Sequence, residues 1–200
     1  LARVQQSILN PVNYEINNTL GTLNMLKSAN NSKVKRFIYS ASSSAYGNRE
    51  KMPCNETDPV NPISPYAIQK YYGEIQSKMF HEVYGLETVS LRYFNVYGPN
   101  QKDHFIPEFI NRVKKKKFMI FGGKNSRSFI FIKDAVRATI KLSKKNIKNE
   151  IFNLGSNIEY KIIDVAKLIL KILNIRKKIK VFKAPRGSVI RRKPEIKKLN

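Results

Sequence analysis

A tyrosine and a lysine four positions apart, Tyr66 and Lys70, have the side chains needed for proton transfer. The surrounding pattern predicts a helix, on which this spacing puts both side chains on one face. Free tyrosine has a pKa of about 10, and lowering it to about 7 takes about 4 kcal/mol. A lysine ammonium about 4 Å away supplies roughly that much at an effective dielectric of about 20. Because burial of the phenolate opposes the effect, a second cation would help.

The spacing alone is a weak signal. A chain of 200 residues with 10 tyrosines and 27 lysines contains about one such pair by chance. The surroundings of the pair must therefore decide whether it is catalytic or simply part of a helix face.

The predicted elements alternate between helices and strands, which favours an α/β fold with a parallel sheet. Ser64 can cap a helix that starts at Pro65, runs to about Tyr84 and ends at Gly85. The other predicted helices span 11–30, 106–117, 134–145 and 162–173, and the predicted strands span 34–42, 117–122, 128–132, 150–155 and 178–183. Residues 86–98 predict a strand followed by a turn, with the strand over 88–93.

Polar residues follow two predicted strands at the points where those strands end. They are Ser42, Ser43 and Ser44 after the first strand, and Asn95, preceded by Phe94, after the second. Ligands of parallel α/β sheets bind beyond the carboxyl ends of the strands, and the helix with Tyr66 and Lys70 lies between these two strands in the chain. A serine hydroxyl can hold a substrate oxygen while a tyrosine takes its proton, so the three residue types suit oxidation of an alcohol by hydride transfer.

Three motifs in this order and spacing resemble those of the extended short-chain dehydrogenase/reductase family. They are "SASSSAYG" (40–47), "NPISPYAIQKYYGE" (61–74) and "LRYFNVYGP" (91–99), supported by "NNTLGTLNML" (17–26) and "IFNLGS" (151–156). The sequence most resembles the NAD-dependent nucleotide-sugar 4-epimerases of the UDP-glucose and UDP-N-acetylglucosamine type, over nearly all 200 residues.

The resemblance implies roles for individual residues. Ser42, Tyr66 and Lys70 would be catalytic, with Tyr66 as the base and Lys70 binding the nicotinamide ribose of NAD. The other implied contacts are Asn17 (or Asn18) and Phe94 on the cofactor side, and Ser43, Ser44, Asn95, Arg127 and Arg186 on the substrate side. Arg127 and Arg186 would grip the diphosphate of a UDP-sugar, a task suited to guanidinium.

The implied reaction oxidises the sugar at C4, lets the keto-sugar turn over, and returns hydride to its other face, so that NAD is regenerated. Dehydratases on this scaffold carry Asp-Glu after the catalytic Ser or Thr, and the related decarboxylases carry a Glu nearby. This chain has Ser43 and Ser44 there, which favours epimerisation. UDP-glucuronate epimerisation or decarboxylation, and a catalytically inactive truncated fragment, stay open as alternatives.

The sequence departs from the family pattern in several places. No Gly-x-x-Gly-x-x-Gly occurs, so we expect that roughly the first third, with the strand–turn–helix that holds the cofactor diphosphate, is missing. We expect residues 1–98 to be the C-terminal part of a Rossmann domain and 99–200 to be mostly a substrate-binding region, with a strand returning to the sheet near 128–155. Ser128 and Lys133 replace acidic or polar family residues, and near Arg186 one residue is lost, so that Arg192 could stand where the family limits substrate size.

The charge and composition of the chain limit the kinds of partner that can be expected. The net charge is +24, and residues 101–200 contribute 28 basic and 7 acidic residues to it. A polyanion such as nucleic acid is one explanation, but enrichment of Lys, Asn and Ile by an A/T-rich genome is another, and no nucleic-acid motif is present. We therefore expect no nucleic-acid partner, no metal site, and no membrane partner, since no apolar run reaches about 18 residues. The single cysteine, Cys54, fits a reducing cytosol, and the resemblance implies a cytoplasmic homodimer.

Overall fold

The computed structural model describes residues 1–199. Its helices are α1 (Val4–Leu9), α2 (Pro11–Glu15), α3 (Gly21–Asn31), α4 (Pro65–Tyr84), α5 (Phe105–Lys114), α6 (Ile132–Lys144) and α7 (Ile162–Ile172). Its strands are β1 (Arg36–Ser42), β2 (Glu87–Tyr93), β3 (Val96–Tyr97), β4 (Met119–Phe121), β5 (Ser126–Ser128), β6 (Ile130–Phe131), β7 (Glu150–Leu154), β8 (Glu159–Lys161) and β9 (Lys180–Phe182). A π-helical turn, Ile16–Leu20, joins α2 to α3, and a 3-10 turn, Ser43–Tyr46, follows β1.

The main sheet is parallel and has the strand order β1-β2-β7, which confirms the predicted α/β class. Its register pairs Ser42 with Tyr93, and Tyr93 with Leu154, so the three strands end together. The apolar side chains of β2 and β7, among them Val89, Leu91 and Phe152, form a core with residues of α6. The polar residues that follow the strands are therefore brought to one edge of the sheet, as the sequence predicts. The outer edge of β1 has no strand partner among the described residues.

Helix α4 begins and ends where its capping residues predict. The Ser64 Oγ accepts from the Ala67 backbone N at 3.2 Å, Pro65 takes the first turn, and Gly85 ends the helix with a φ of 74°. The helix lies close to β1 because Gly73 has no side chain: a Cβ there would overlap the Tyr39 ring. The Tyr39 hydroxyl donates to the Lys70 carbonyl at 3.3 Å, which ties α4 to β1 beside the predicted catalytic residues.

Three two-stranded sheets lie outside the main sheet. Strands β3 and β6 pair in parallel, as do β4 and β9, whereas β5 and β8 pair antiparallel. The strand and turn predicted over 86–98 are confirmed: β2 ends at Tyr93, and Asn95 follows it with a φ of 22°, a value that breaks extended geometry. The strand predicted over 128–132 divides because Ser128 pairs with Glu159 of β8 and Ile130 with Val96 of β3. Helix α1 was not predicted.

A second apolar core joins α5 and α7. It contains Phe109, Val113, Ile120, Ala166 and Ile169, each at most 8% exposed, and its existence follows from the strong amphipathic pattern of both helices. No helix in the described part of the chain has the length and apolar character that crossing a membrane requires.

Candidate active site

A cavity of about 730 Å³ lies beyond the carboxyl ends of β1 and β2. Its wall is built by the residues that follow these strands, by the first turn of α4, by β5 and by the segment 184–192. Among the residues predicted for the site, those that line it are Ser42, Ser43, Tyr66, Asn95 and Arg127. Four separate parts of the chain therefore converge on one opening.

The Ser42 hydroxyl is oriented by Ser44. Its Oγ accepts from the Ser44 backbone N at 3.2 Å and from the Ser44 Oγ at 2.8 Å. A serine hydroxyl has two acceptor lone pairs and one donor, so these two bonds leave the Ser42 proton for a group in the cavity. Ser42 is therefore prepared to donate to an oxygen atom of a ligand or of Tyr66.

Tyr66 lies where burial opposes its ionisation. Burial raises the pKa of the Tyr66 phenol, while hydrogen bonding by Ser42 and the positive charge of Arg192 lower it. The net direction is upward, so in this structure Tyr66 keeps its proton at neutral pH. Lys70 is not among the groups that shift this pKa, so the lowering expected from its charge is not found, and burial dominates.

The Lys70 ammonium is held at the base of the site. Its Nζ donates to the Ser40 carbonyl at 2.8 Å and lies 5.1 Å from the centroid of the Tyr39 ring. Burial lowers the pKa of Lys70. The ammonium does not line the cavity itself, and it is fixed to the backbone of β1 one helical turn beyond Tyr66.

Two arginines face the opposite side of the cavity. Arg127 is held by backbone carbonyls, since its Nη2 donates to Val189 at 2.6 Å and its Nη1 to Ser126 at 2.7 Å. Burial and the neighbouring charge of Arg192 lower the pKa of Arg127, and burial lowers that of Arg192 as well. The Arg192 Nε is buried without a hydrogen-bond partner. Two adjacent guanidinium groups whose charge is poorly compensated form a site for an anion.

Arg192 lines the cavity, although the sequence associated this residue only with substrate size. The resemblance instead implied Arg186, but that side chain is exposed and is not among the residues lining the cavity. The difference arises because the turn at Pro185–Ser188 directs Arg186 outward, whereas the backbone at Arg192 pairs with Ser128 and faces inward. The departure from the family pattern around 186–192 was the signal that could have shown this.

Three other predicted residues lie outside the cavity. Asn17 is exposed and donates to the Asn13 carbonyl of its own helix at 2.8 Å, whereas Asn18 is buried and contacts Gln69 of α4. Of the two alternatives, Asn18 is the one directed to α4, and neither lines the cavity. Phe94 is fully buried in an apolar cluster with Tyr46 and does not line the cavity.

Ser44 also departs from its expected place. It is 2% exposed and does not line the cavity, because the 3-10 turn after β1 points it back to Ser42. It acts on the site through that hydrogen bond. Asn95 does line the cavity, and its Nδ2 donates to the Ser128 carbonyl at 2.7 Å, so it also fixes β5.

Acidic groups are scarce around the cavity. Glu108 is the one carboxylate among the described residues that line it, and it is bound by Arg3 and Arg112. Within residues 1–199, no group of three or more His, Cys, Asp or Glu side chains could hold a metal ion.

A parallel sheet with serine, tyrosine and lysine at the carboxyl end of one strand and on the following helix defines a protein of the short-chain dehydrogenase/reductase type. Comparison with known families agrees. The chain belongs to the NAD dependent epimerase/dehydratase family, whose model matches residues 1–155.

Individual relatives are similar over most of the chain. A putative UDP-glucose 4-epimerase of Methanocaldococcus jannaschii is 34% identical over 98% of this chain and 66% of its own length. A UDP-glucuronate 4-epimerase of Thermodesulfobacterium geofontis is 39% identical over 77% of this chain and 48% of its own. The structure of a UDP-N-acetylglucosamine 4-epimerase from Methanobrevibacter ruminantium, in complex with UDP-N-acetylmuramic acid, superposes with a TM-score of 0.94 at 32% identity, covering 100% of this chain and 66% of that one. The chain thus spans about two thirds of these full-length relatives or less.

Proposed function

We propose that this chain belongs to an NAD-dependent 4-epimerase of a UDP-hexose or a UDP-N-acetylhexosamine, and that it supplies the proton-transfer and diphosphate-binding groups of that enzyme. The observation that carries the proposal is the placement of Ser42 and Tyr66 in the same cavity as Arg127 and Arg192. The groups that would act on an alcohol and the groups that would bind a diphosphate thus line the same cavity.

The residues present fit one half of NAD. Tyr66, Lys70 and the buried Asn18 would hold the nicotinamide ribose, for which a phenol, an ammonium and an amide are suitable donors. The glycine-rich turn that would bind the cofactor diphosphate does not occur in the sequence. When bound, NAD supplies reversible oxidation at the sugar C4.

The residues of this chain manage the proton and the orientation. Ser42, with its lone pairs occupied by Ser44, donates to the sugar O4 and holds it beside the Tyr66 phenol. Once ionised, Tyr66 removes the O4 proton as the alcohol is oxidised and returns it when the alcohol re-forms. The Arg192 charge favours the ionised phenol. Lys70 fixes the next turn of α4 to β1 through its hydrogen bond to the Ser40 carbonyl.

The arginines orient the substrate through its nucleotide. Arg127 and Arg192 would bind the diphosphate, which would restore their depressed pKa values by compensating their charge. Because this grip is remote from C4, the sugar can turn over while the nucleotide stays bound. The sequence of Ser43 and Ser44 after Ser42 offers no carboxylic acid for elimination of water, which favours epimerisation over dehydration.

A second candidate is UDP-glucuronate 4-epimerisation. The similarity at 39% identity to a protein of that name supports it, as does the cationic character of the cavity. The two candidates use the same groups of the protein, and the distinguishing feature of glucuronate is the carboxylate on C5 in place of a hydroxymethyl group.

The experiment is an assay of C4 inversion by a protein that contains this chain together with a glycine-rich cofactor-binding segment, with a panel of UDP-sugars: UDP-glucose, UDP-N-acetylglucosamine and UDP-glucuronate. We expect inversion of at least one, and its loss in Tyr66→Phe. Tyr72→Phe is the matched control, because Tyr72 lies on the same helix but is 48% exposed, and we expect it to retain activity. Absence of inversion with every UDP-sugar would refute the proposal.

A further inference from the structure

Two basic runs that are distant in the sequence lie side by side in the structure. The first run, Lys114–Lys117, begins at the last residue of α5, and the second, Arg176–Lys178, precedes β9. The backbone N of Lys180 donates to the Phe118 carbonyl at 2.9 Å, and β4 pairs with β9 directly beyond. The fold thereby joins the two runs into one surface.

Helix α7 extends this surface. Lys167 and Lys171 border a depression of about 680 Å³ together with the second basic run. We call the whole set the basic face; its ten members, all exposed, are Lys114, Lys115, Lys116, Lys117, Lys167, Lys171, Arg176, Lys177, Lys178 and Lys180.

The basic face lacks acidic compensation. No ion pair among the described residues includes any of its ten members; within 101–199 the carboxylates that form ion pairs do so elsewhere, with Arg3, Arg112, Arg137, Arg191, Lys197 and Lys198. An A/T-rich genome explains the number of lysines but not this segregation. Asp164, in the first turn of α7, is the nearest carboxylate along the chain to Lys167, and it forms no ion pair among the described residues. The fold therefore concentrates ten cations on one surface with little acidic compensation.

Exposed aliphatic side chains lie next to the cations. On α7, Leu168 is 52% and Ile172 is 69% exposed, and Leu173 after it is 43% exposed. Leu168 and Ile172 are one turn apart and adjoin the stripe of Lys167 and Lys171. A helix face that combines lysines with exposed aliphatic residues is the pattern of proteins that bind at a membrane surface.

We propose that the basic face docks on an anionic phospholipid bilayer. The headgroups would compensate the ten cations, and Leu168 and Ile172 would enter the interface. A second copy of the chain is a poor occupant, because two such faces repel each other. Single-stranded nucleic acid is a poorer match than lipid, because its bases stack on aromatic side chains, whereas α7 exposes aliphatic ones.

The proposal goes beyond the proposed function and does not depend on it. The basic face shares none of its ten residues with the active-site cavity, so docking would leave that cavity free. The sequence predicts no membrane partner because no segment is long and apolar enough to span a bilayer. Docking through a cationic surface does not require a spanning segment.

The test is co-sedimentation of the chain with vesicles of phosphatidylcholine alone or with about 30% phosphatidylglycerol, at an ionic strength of about 0.1 M. We expect binding only to the anionic vesicles. Replacing Lys114, Lys115, Lys116 and Lys117 by Gln should weaken it at least about tenfold, and Leu168→Gln with Ile172→Gln should make the remaining binding more sensitive to salt.

The matched control replaces four exposed lysines elsewhere, Lys27, Lys33, Lys35 and Lys51, by Gln. It removes the same charge and should bind almost as the unmodified chain does. Equal losses in both quadruple variants, no binding to anionic vesicles, or tighter binding to single-stranded or duplex DNA at the same salt would each overturn the proposal. A second variant, with Lys167, Lys171, Lys177 and Lys178 replaced by Gln, guards against a local effect on α5 and should reproduce the loss.

Discussion

Arg192 connects the two tasks proposed for the candidate site, because its charge acts on Tyr66 and, in the proposed function, would also act on a bound diphosphate. Tyr66 has a pKa above the ordinary value of tyrosine, since burial outweighs the favourable effects of Ser42 and Arg192. As pH rises, the fraction of ionised phenol increases, and a reaction that needs this base should accelerate.

This relation predicts the effect of Arg192→Gln on the pH profile. Loss of the cation raises the Tyr66 pKa further, so the rising limb of kcat/KM should move to higher pH. The measurement is the pH–rate profile of C4 inversion. Arg137→Gln is the control, because the Arg137 side chain is 80% exposed. If the limb stays at the same pH in Arg192→Gln, the coupling between Arg192 and Tyr66 is wrong.

Arg127 provides a test that needs no catalysis. Arg127→Lys removes the planar guanidinium whose Nη atoms are fixed by the Val189 and Ser126 carbonyls. We expect the affinity for UDP to fall at least about tenfold, measured by titration calorimetry on the chain alone. Arg137→Lys should leave the affinity unchanged, and equal affinities in Arg127→Lys and the unmodified chain would exclude Arg127 as a diphosphate ligand.

Helix α4 is held in place by a buried ion pair as well as by its caps. Glu74, one turn beyond Lys70, forms a two-point pair with Arg92 of β2 at 2.7 and 2.9 Å, with 2 and 3% of the side chains exposed. Arg92 also lies 4.6 Å from the centroid of the Tyr46 ring, in the turn that follows Ser42. The pair thus links three elements that carry the site.

Removing one member of this pair should destabilise the protein strongly. Glu74→Gln leaves a buried, uncompensated guanidinium, which costs about 3 to 5 kcal/mol. The free energy of unfolding from urea titration measures the loss. Glu82→Gln is the control on the same helix, because its partner Lys78 and Glu82 itself are 64 and 56% exposed, and it should change stability by less than about 0.5 kcal/mol. A similar small change in Glu74→Gln would show that the buried pair does not stabilise α4.

The molecule as a whole has a strongly one-sided charge. Its net charge is +24, and residues 101–200 hold 28 of the 38 basic residues. Like charges concentrated in one half repel each other in the compact state, and salt screens that repulsion. The predicted homodimer and the division at residue 98 stay predictions.

Salt should therefore stabilise the fold. Raising NaCl from about 0.05 to about 0.5 M should raise Tm, by roughly 2 to 4 °C for each kcal/mol of repulsion removed, as measured by circular dichroism. The variant with Lys114–Lys117 replaced by Gln should show a smaller rise, because part of the repulsion is already gone. A Tm that falls with salt would show that attractive pairs dominate instead.

Local patterns in the sequence determined the order and type of most elements. Periodicity and caps are short-range signals, so the helix from Pro65 to Tyr84 and the strand ending at Ser42 follow from neighbouring residues. The collinear motifs likewise indicated the family and predicted that Ser42, Tyr66 and Asn95 lie at one edge of the sheet.

The direction in which each side chain points was decided only by the tertiary structure. Asn17 and Asn18 are equivalent in the sequence, but only Asn18 faces α4, and Arg192 rather than Arg186 lines the cavity. These outcomes depend on which neighbours pack against a turn. The Tyr66 pKa also depends on burial, which no spacing reports, and the basic face exists only because β4 and β9 pair across about sixty residues of chain. Contacts of this range are set by the packing of the whole molecule, and local sequence does not encode them.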